Sequence, residues 1–281
     1  MKPNPAASEP LELSREIAAH FVAARLAAQA LPGYPGPLPQ SLDAAYARQD
    51  AAIALWPDRV AGWKVGRIPD VWLERMGEDR IMGPVFAHRL HTLTADQIAE
   101  LPVIAGGFAA VEAEYVFVLG ADAPIDKTDF TPQQAAELAG ELRIGIELAG
   151  SPLATINELG PAVVVSDFGN NAAVFLGPVI GDWRERSWDS LVCATWVEGM
   201  QVGRGGALHL PGGPLAALAF ALNRGARRGH PLKAGMIVST GAATGIHDIL
   251  AGQSSRLVFD GLGELHCHAV PATATAKEQL R

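Results

Sequence analysis

The chain has 281 residues, 49% of them hydrophobic and 19% charged, with a formal net charge of −8. That is enough apolar sequence for one large core, or for a domain with an extension. The acidic balance argues against nucleic acid or an anionic membrane surface as the main partner. No apolar run reaches the roughly 20 residues of a transmembrane helix, and Met1-Lys2-Pro3-Asn4-Pro5 lacks the apolar segment of a signal peptide. Cys193 and Cys267 have neither CxxC nor zinc-type spacing and are expected as buried reduced thiols. A soluble cytoplasmic protein is expected.

Residues 11–30 carry apolar side chains at helical spacing, and Leu31-Pro32-Gly33-Tyr34-Pro35-Gly36-Pro37 ends that helix. Ser41 offers a cap for a second helix to about Leu55. Residues 1–60 thus form a helical region with no evident chemistry. In Gly62-Trp63-Lys64-Val65-Gly66, strand alternation puts Trp63 and Val65 on one face and Lys64 alone on the other, between glycines that admit a close neighbour. A short helix over 71–77, a turn at Gly83-Pro84 leading into an extended segment, and a helix around 94–101 follow.

Val111-Glu112-Ala113-Glu114-Tyr115-Val116-Phe117-Val118-Leu119-Gly120 reads as a strand in which Glu112 and Glu114 share a face with Val116 and Val118. At an effective dielectric near 20, like charges about 4 Å apart repel by roughly 4 kcal/mol. A shared proton, a nearby cationic side chain or a hard metal ion would offset that. Thr131 and Pro132 then begin a helix, and residues 142–148 read as another strand carrying Glu147. Strand, helix and strand have the length of a βαβ crossover, which sets two strands parallel and side by side. Glu147 would then join Glu112 and Glu114, and three converging carboxylates suit Mg²⁺ or Mn²⁺. A solvated strand face that happens to carry two glutamates is the other possibility. Three carboxylates plus a divalent cation leave a formal −1, which Lys64 would neutralise; otherwise Lys64 is a surface lysine.

Further on, residues 162–171 change from buried strand to polar turn, with Ser166, Asp167 and Asn170 placed either for a ligand or for Asx-turn bonds. Strands are predicted at 173–178 and 191–202, and Gly203-Arg204-Gly205-Gly206 as a hairpin connection. Residues 214–228 form the strongest helix, with Arg224, Arg227 and Arg228 suited to its dipole and C-terminal cap. Residues 235–241 make a buried strand ending in Thr240-Gly241, whose hydroxyl and backbone N–H groups suit a carboxylate. A hairpin over 256–270 turns at Asp260-Gly261-Leu262-Gly263. His266 and His268 share a face there without a third ligand. The segment after Pro271 reads as a frayed tail.

In order, Gly62-Trp63-Lys64-Val65-Gly66, Val111-Glu112-Ala113-Glu114, Gly145-Ile146-Glu147, Ser166-Asp167 with Asn170, Gly213–Ala219, Leu232–Gly241 and Gly261-Leu262-Gly263 resemble the fumarylacetoacetate hydrolase superfamily. The similarity is to its branch of 2-oxopent-4-enoate hydratases and 4-oxalocrotonate decarboxylases. The resemblance implies an α+β fold, a mixed β-sheet roll with an N-terminal helical region and peripheral helices. It implies a catalytic domain over residues 61–275, a tail at 276–281, and a homo-oligomer. It also implies Mg²⁺ (or Mn²⁺) on Glu112, Glu114 and Glu147, with Lys64 near a small 2-oxo acid substrate and Ser166, Asp167, Asn170, Thr240 and Gly241 around it. Hydratases of the branch tend to carry an acid where Ile81 stands, and Asp79 or Glu78 is the candidate replacement. Ser151-Pro152 stands where many relatives have Ser-Arg. The implied activity is hydration of a 2-hydroxy-2,4-dienoate through a metal-stabilised enolate. Decarboxylation of a 2-oxo-3-enedioate comes next, then acylpyruvate C–C hydrolysis or a non-catalytic ligand-binding role.

Overall fold

The computed structural model describes residues 11–94 and 96–275, so the tail expected at 276–281 lies outside the described residues. The N-terminal helices form as their apolar spacing predicts: α1 (Leu11–Ala27) and α2 (Leu42–Leu55). The Ser41 side chain caps α2 by accepting from the Ala44 N–H. The chain then runs through β1 (Val60–Arg67), α3 (Asp70–Met76), β2 (Arg80–Phe86), β3 (Leu90–Thr92), β4 (Ile98–Val103) and β5 (Phe108–Leu119). Next come α4 (Pro132–Leu138), β6 (Ala139–Ser151), α5 (Pro161–Ser166), β7 (Asn171–Val179), β8 (Val192–Val197) and β9 (Met200–Gly206). The last elements are α6 (Gly213–Arg227), β10 (Ile237–Ser239), β11 (His247–Asp248), β12 (Ser254–Phe259) and β13 (Gly263–Pro271). No described helix is long and apolar enough to cross a membrane.

Two sheets result. One has the order β2-β1-β10-β5-β6-β7-β3, with β11 added to β5, and the other β4-β13-β12-β8-β9. The first curls until β2 approaches β7. Its outer face carries Trp63, Val65, Tyr115, Phe117, Ile144 and Ile146 into the main core. Its concave side holds a separate apolar cluster of Val85, Val116, Val174, Leu176 and Ile237. The fold is therefore the mixed roll with peripheral helices that the motifs imply.

Several local expectations change, each for an identifiable reason. β5 and β6 are antiparallel, not the parallel pair of a βαβ unit. A seven-residue α4 spans only about 10 Å at 1.5 Å per residue, too little to return the chain along a twelve-residue β5. The helix expected around 94–101 does not form among the described residues. β4 takes the second half of that stretch, pairing in parallel with β13 and burying Ala99, Leu101 and Val103 in strand alternation. Gly83-Pro84 makes no turn but lies inside β2, an edge strand where proline's missing N–H is tolerated. Residues 161–166 are helix, not strand; Pro161 starts the segment and all six side chains are buried. Gly203–Gly206 lies within β9, and the hairpin turns earlier, at Glu198-Gly199. Residues 272–275, expected as the start of a frayed tail, are tied down: Ala272 donates to the Val103 carbonyl and Thr275 to that of Leu26.

A tight turn joins α5 to β7. Phe168, Gly169 and Asn170 all have positive φ (55°, 62° and 54°), a conformation that costs a non-glycine L-residue roughly 1–2 kcal/mol. The turn packs on Gly83, where an added Cβ would sit 2.0 Å from the Phe168 carbonyl oxygen. Gly83→Ala should lower stability by roughly 1–3 kcal/mol, the usual cost of overpacking a filled interior. Urea denaturation measures this, and an unchanged midpoint would show that the contact yields without strain.

Candidate metal centre

Strand register assembles the site. Glu112 of β5 lies directly across from Glu147 of β6, and Glu114 lies across from Gly145. One carboxylate oxygen from each of the three lies within 4.8 Å of the other two. On the other side of β5, β10 places Ser239 beside Val116, and β1 places Lys64 beside Ser239. All these side chains share the concave face, and Glu112, Glu114, Glu147 and Lys64 are each at most 5% exposed. The pair is therefore no solvated strand face, and Lys64 is no surface lysine.

Glu114, Glu147 and Lys64 are each held by a named partner. The Gly241 N–H donates to Glu114 Oε2 at 2.7 Å, and Asn171 Nδ2 donates to Glu147 Oε1 at 2.9 Å. Lys64 Nζ lies 3.3 Å from Glu147 Oε1 and donates to Asn170 Oδ1 at 3.1 Å. Asn170 is itself steadied by its donation to Asn157 Oδ1. The remaining oxygens, Glu114 Oε1 and Glu147 Oε2, are buried without a hydrogen-bond partner, as is Ser239 Oγ. Buried carboxylate oxygens held in place but left bare are what a hard cation requires, and an all-oxygen set suits Mg²⁺, Mn²⁺ or Ca²⁺. Glu112, Glu114 and Glu147 would hold it.

Electrostatics agree. Burial pushes Glu112 up to about 8, with Glu147 adding to the rise and Lys64 opposing it. Burial also raises Glu114 well above the ordinary carboxylate value, reinforced by Glu147 and Glu112. For Lys64 burial acts downward, yet the three glutamates outweigh it and leave the ammonium above its ordinary value. Desolvation alone thus does not bring Lys64 toward neutrality.

The other residues singled out from sequence divide clearly. Asn170 and Gly241 sit at the centre. Thr240 directs its hydroxyl to the Tyr115 carbonyl and Ser166 to that of Ala162. Asp167 is buried but engaged by Arg25 Nε at 2.6 Å, Arg25 Nη2 at 2.9 Å and Ser151 Oγ at 2.6 Å. Asp79 is 57% exposed and pairs with Arg80, whereas Ile81 is buried on the Lys64 face. Arg25, Asn157 and Asn171 are the contributors that sequence reasoning missed. Arg25 closes α1, a helix with no evident chemistry, and its guanidinium also donates to the Gly150 and Asn171 carbonyls. A lone arginine at a helix C-terminus reads as a dipole partner, so only the second asparagine of Asn170-Asn171 carried a usable signal.

No family model and no curated protein matches the chain. Solved structures do. A 4-oxalocrotonate decarboxylase from Pseudomonas putida G7, complexed with magnesium and adipate, superposes with TM-score 0.77 at 19% identity, over 94% of this chain and 99% of that one. The same enzyme with calcium and acetate gives 0.76. A fumarylpyruvate hydrolase from Pseudomonas aeruginosa, with Mn²⁺ and pyruvate, gives 0.56 at 19% identity over 76% of this chain and 90% of that one. At such identity the shared property is the fold, which is that of the fumarylacetoacetate hydrolase superfamily.

A pH dependence follows. A folded Glu112 near 8, against an ordinary 4.5, binds a proton that the unfolded chain has lost. Metal-free stability is therefore greatest below the lower value and falls as pH rises through the upper one. Thermal melts of metal-stripped protein should drop across that window, Mg²⁺ should restore more at its top than at its bottom, and Glu112→Gln should flatten both trends. A melting temperature and a Mg²⁺ response independent of pH would contradict this.

Proposed function

We propose that the chain is a divalent-metal-dependent lyase acting on a small 2-oxo acid, and that its reaction is decarboxylation of a 2-oxo-3-enedioate. The observation that carries this is the pair of bare, buried oxygens on Glu114 and Glu147 facing a buried ammonium on Lys64. Support comes from the fold match to a decarboxylase solved with magnesium and a dicarboxylate.

A cation held by the three glutamates would draw charge from a 2-oxo oxygen as the C–CO₂ bond breaks. The protein's own groups do the rest. Lys64, paired with Glu147, serves as a positive charge for the substrate's carboxylate, and Asn170 fixes its direction. Asn171 and the Gly241 N–H hold Glu147 and Glu114 so that their free oxygens stay turned into the site. Enclosure of the cluster excludes water and strengthens these interactions. The bond to the departing carboxylate breaks, its electron pair moves along the conjugated chain to the 2-oxo oxygen, and CO₂ leaves. Protonation of that oxygen yields a 2-hydroxy-2,4-dienoate.

Hydration of such a dienoate, implied first by the motifs, ranks second. It calls for a positioned acid, and the 79–81 segment presents Ile81 to the Lys64 face while Asp79 pairs with Arg80 at the surface. With Mg²⁺, the protein should release CO₂ from 2-oxohex-3-enedioate and generate dienol absorbance. Chelation should abolish this, and Lys64→Met should lower kcat by about 10²-fold or more. No CO₂, together with consumption of 2-hydroxypenta-2,4-dienoate, would replace decarboxylation with hydration.

A further inference from the structure

A cavity of about 640 Å³ lies at the seam of the roll, bounded by the ends of α1, α2 and β2, the starts of β5 and β7, and residues 272–275. That volume is in the range of roughly 300–1,000 Å³ typical of small-molecule sites. Neither the three glutamates nor Lys64 lines it. Its walls are aromatic: Phe86, Phe108 and Phe168 face it, with the Phe86 and Phe168 rings 5.0 Å apart edge to face.

Two guanidinium groups line the same space, and their charge accounts differ. Arg25 is matched by Asp167. Arg89 is half-buried and has no hydrogen-bond acceptor or ion-pair partner among the described residues. Burial, and next the charge of Arg25, hold the Arg89 guanidinium below its ordinary value, with the nearby Asp58 carboxylate acting the other way. The one carboxylate in the cavity wall, Asp58, is already engaged: it accepts from the backbone N–H groups of His88 and Arg59 and pairs with the His88 ring. An arginine with no hydrogen-bonded acceptor of its own, beside a second one at the edge of an aromatic wall, has the chemistry to take an anion with a flat apolar body.

We propose that this cavity is a second ligand site, separate from the metal centre, that binds a small organic carboxylate. The anionic head sits on Arg89, and the apolar body lies against Phe86, Phe108 and Phe168. The site adjoins the catalytic one through a single turn. Phe168 opens the 168–170 turn whose Asn170 holds Lys64, and Asn171, also in the cavity wall, holds Glu147. A ligand against Phe168 therefore bears on the two residues that orient the metal cluster.

Benzoate titrated calorimetrically into the full-length, metal-stripped protein tests the proposal, with neutral benzamide as its control. Benzoate should bind once per chain and benzamide should not. Arg89→Gln should weaken benzoate by about tenfold or more, whereas Arg89→Lys, which keeps the charge, should lose less. Glu112→Gln should leave the affinity unchanged, because the metal cluster takes no part. Thermal melts establish that the Arg89 variants are folded, which the half-buried position of this side chain favours. Absence of benzoate binding, equal binding by Arg89→Gln, or loss of binding in Glu112→Gln would each overturn the assignment. The last would place benzoate at the metal cluster instead. Because no metal is present, failure here leaves the proposed lyase chemistry standing, and failure of that chemistry leaves this site standing.

Discussion

Three carboxylates and one ammonium enclosed in a curled sheet set the terms for the rest of this structure. Glu112, Glu114 and Glu147 lie within 4.8 Å of one another with almost no access to solvent. Charges so placed need compensation, because burial penalises the ionised form and each carboxylate penalises the next. Lys64 supplies one positive charge. Protons supply more when no cation is bound, which is why Glu112 and Glu114 are driven upward. A divalent cation with Lys64 would balance the three carboxylates without them. Around this cluster the backbone is organised to fix directions: a glycine N–H on Glu114, an asparagine amide on Glu147, another on Lys64.

The segment 165–171 connects that electrostatic centre to the remainder of the fold. Gln49 of α2 donates to the Val165 and Met82 carbonyls, tying the N-terminal helices to α5 and β2. Arg25 of α1 clamps Asp167 and reaches the Asn171 carbonyl. Removing one partner of so buried a pair typically costs roughly 3–5 kcal/mol, since the other charge is then left without compensation. Between these anchors the 168–170 turn is held in left-handed backbone that neighbouring structure must impose, as is common where a chain serves a site. The N-terminal helices are thus a support for the centre. The fold shared with the decarboxylase, spanning 94% of this chain, takes them in.

Much of the site was legible one residue at a time. Glu-x-Glu on a strand that turns apolar, a lone lysine between glycines, and a Thr-Gly at a strand end are local patterns with local physics. They led to Glu112, Glu114, Lys64 and Gly241, which the structure brings together; Glu147 was reached by counting a crossover, and it joins them through an antiparallel pairing instead. The order of those motifs was enough to imply the roll. Local chemistry also placed the Ser41 cap, and the Thr131 cap with Pro132 after it.

Sequence alone determined which residues would be costly to bury and which segments had helical or strand period, because both follow from side-chain chemistry and spacing of a few residues. Tertiary structure decided what those properties were set against. Glu147 faces Glu112 across an antiparallel ladder rather than a parallel one, because α4 is too short to carry the chain back. Residues 98–103 became a strand because β13 offered an edge, overriding a helical spacing that had no partner of its own. Arg25 found Asp167 across 142 positions, a pairing that no window of neighbouring residues contains. Charge compensation in a folded protein is a property of distances through space, and only the closed roll sets them.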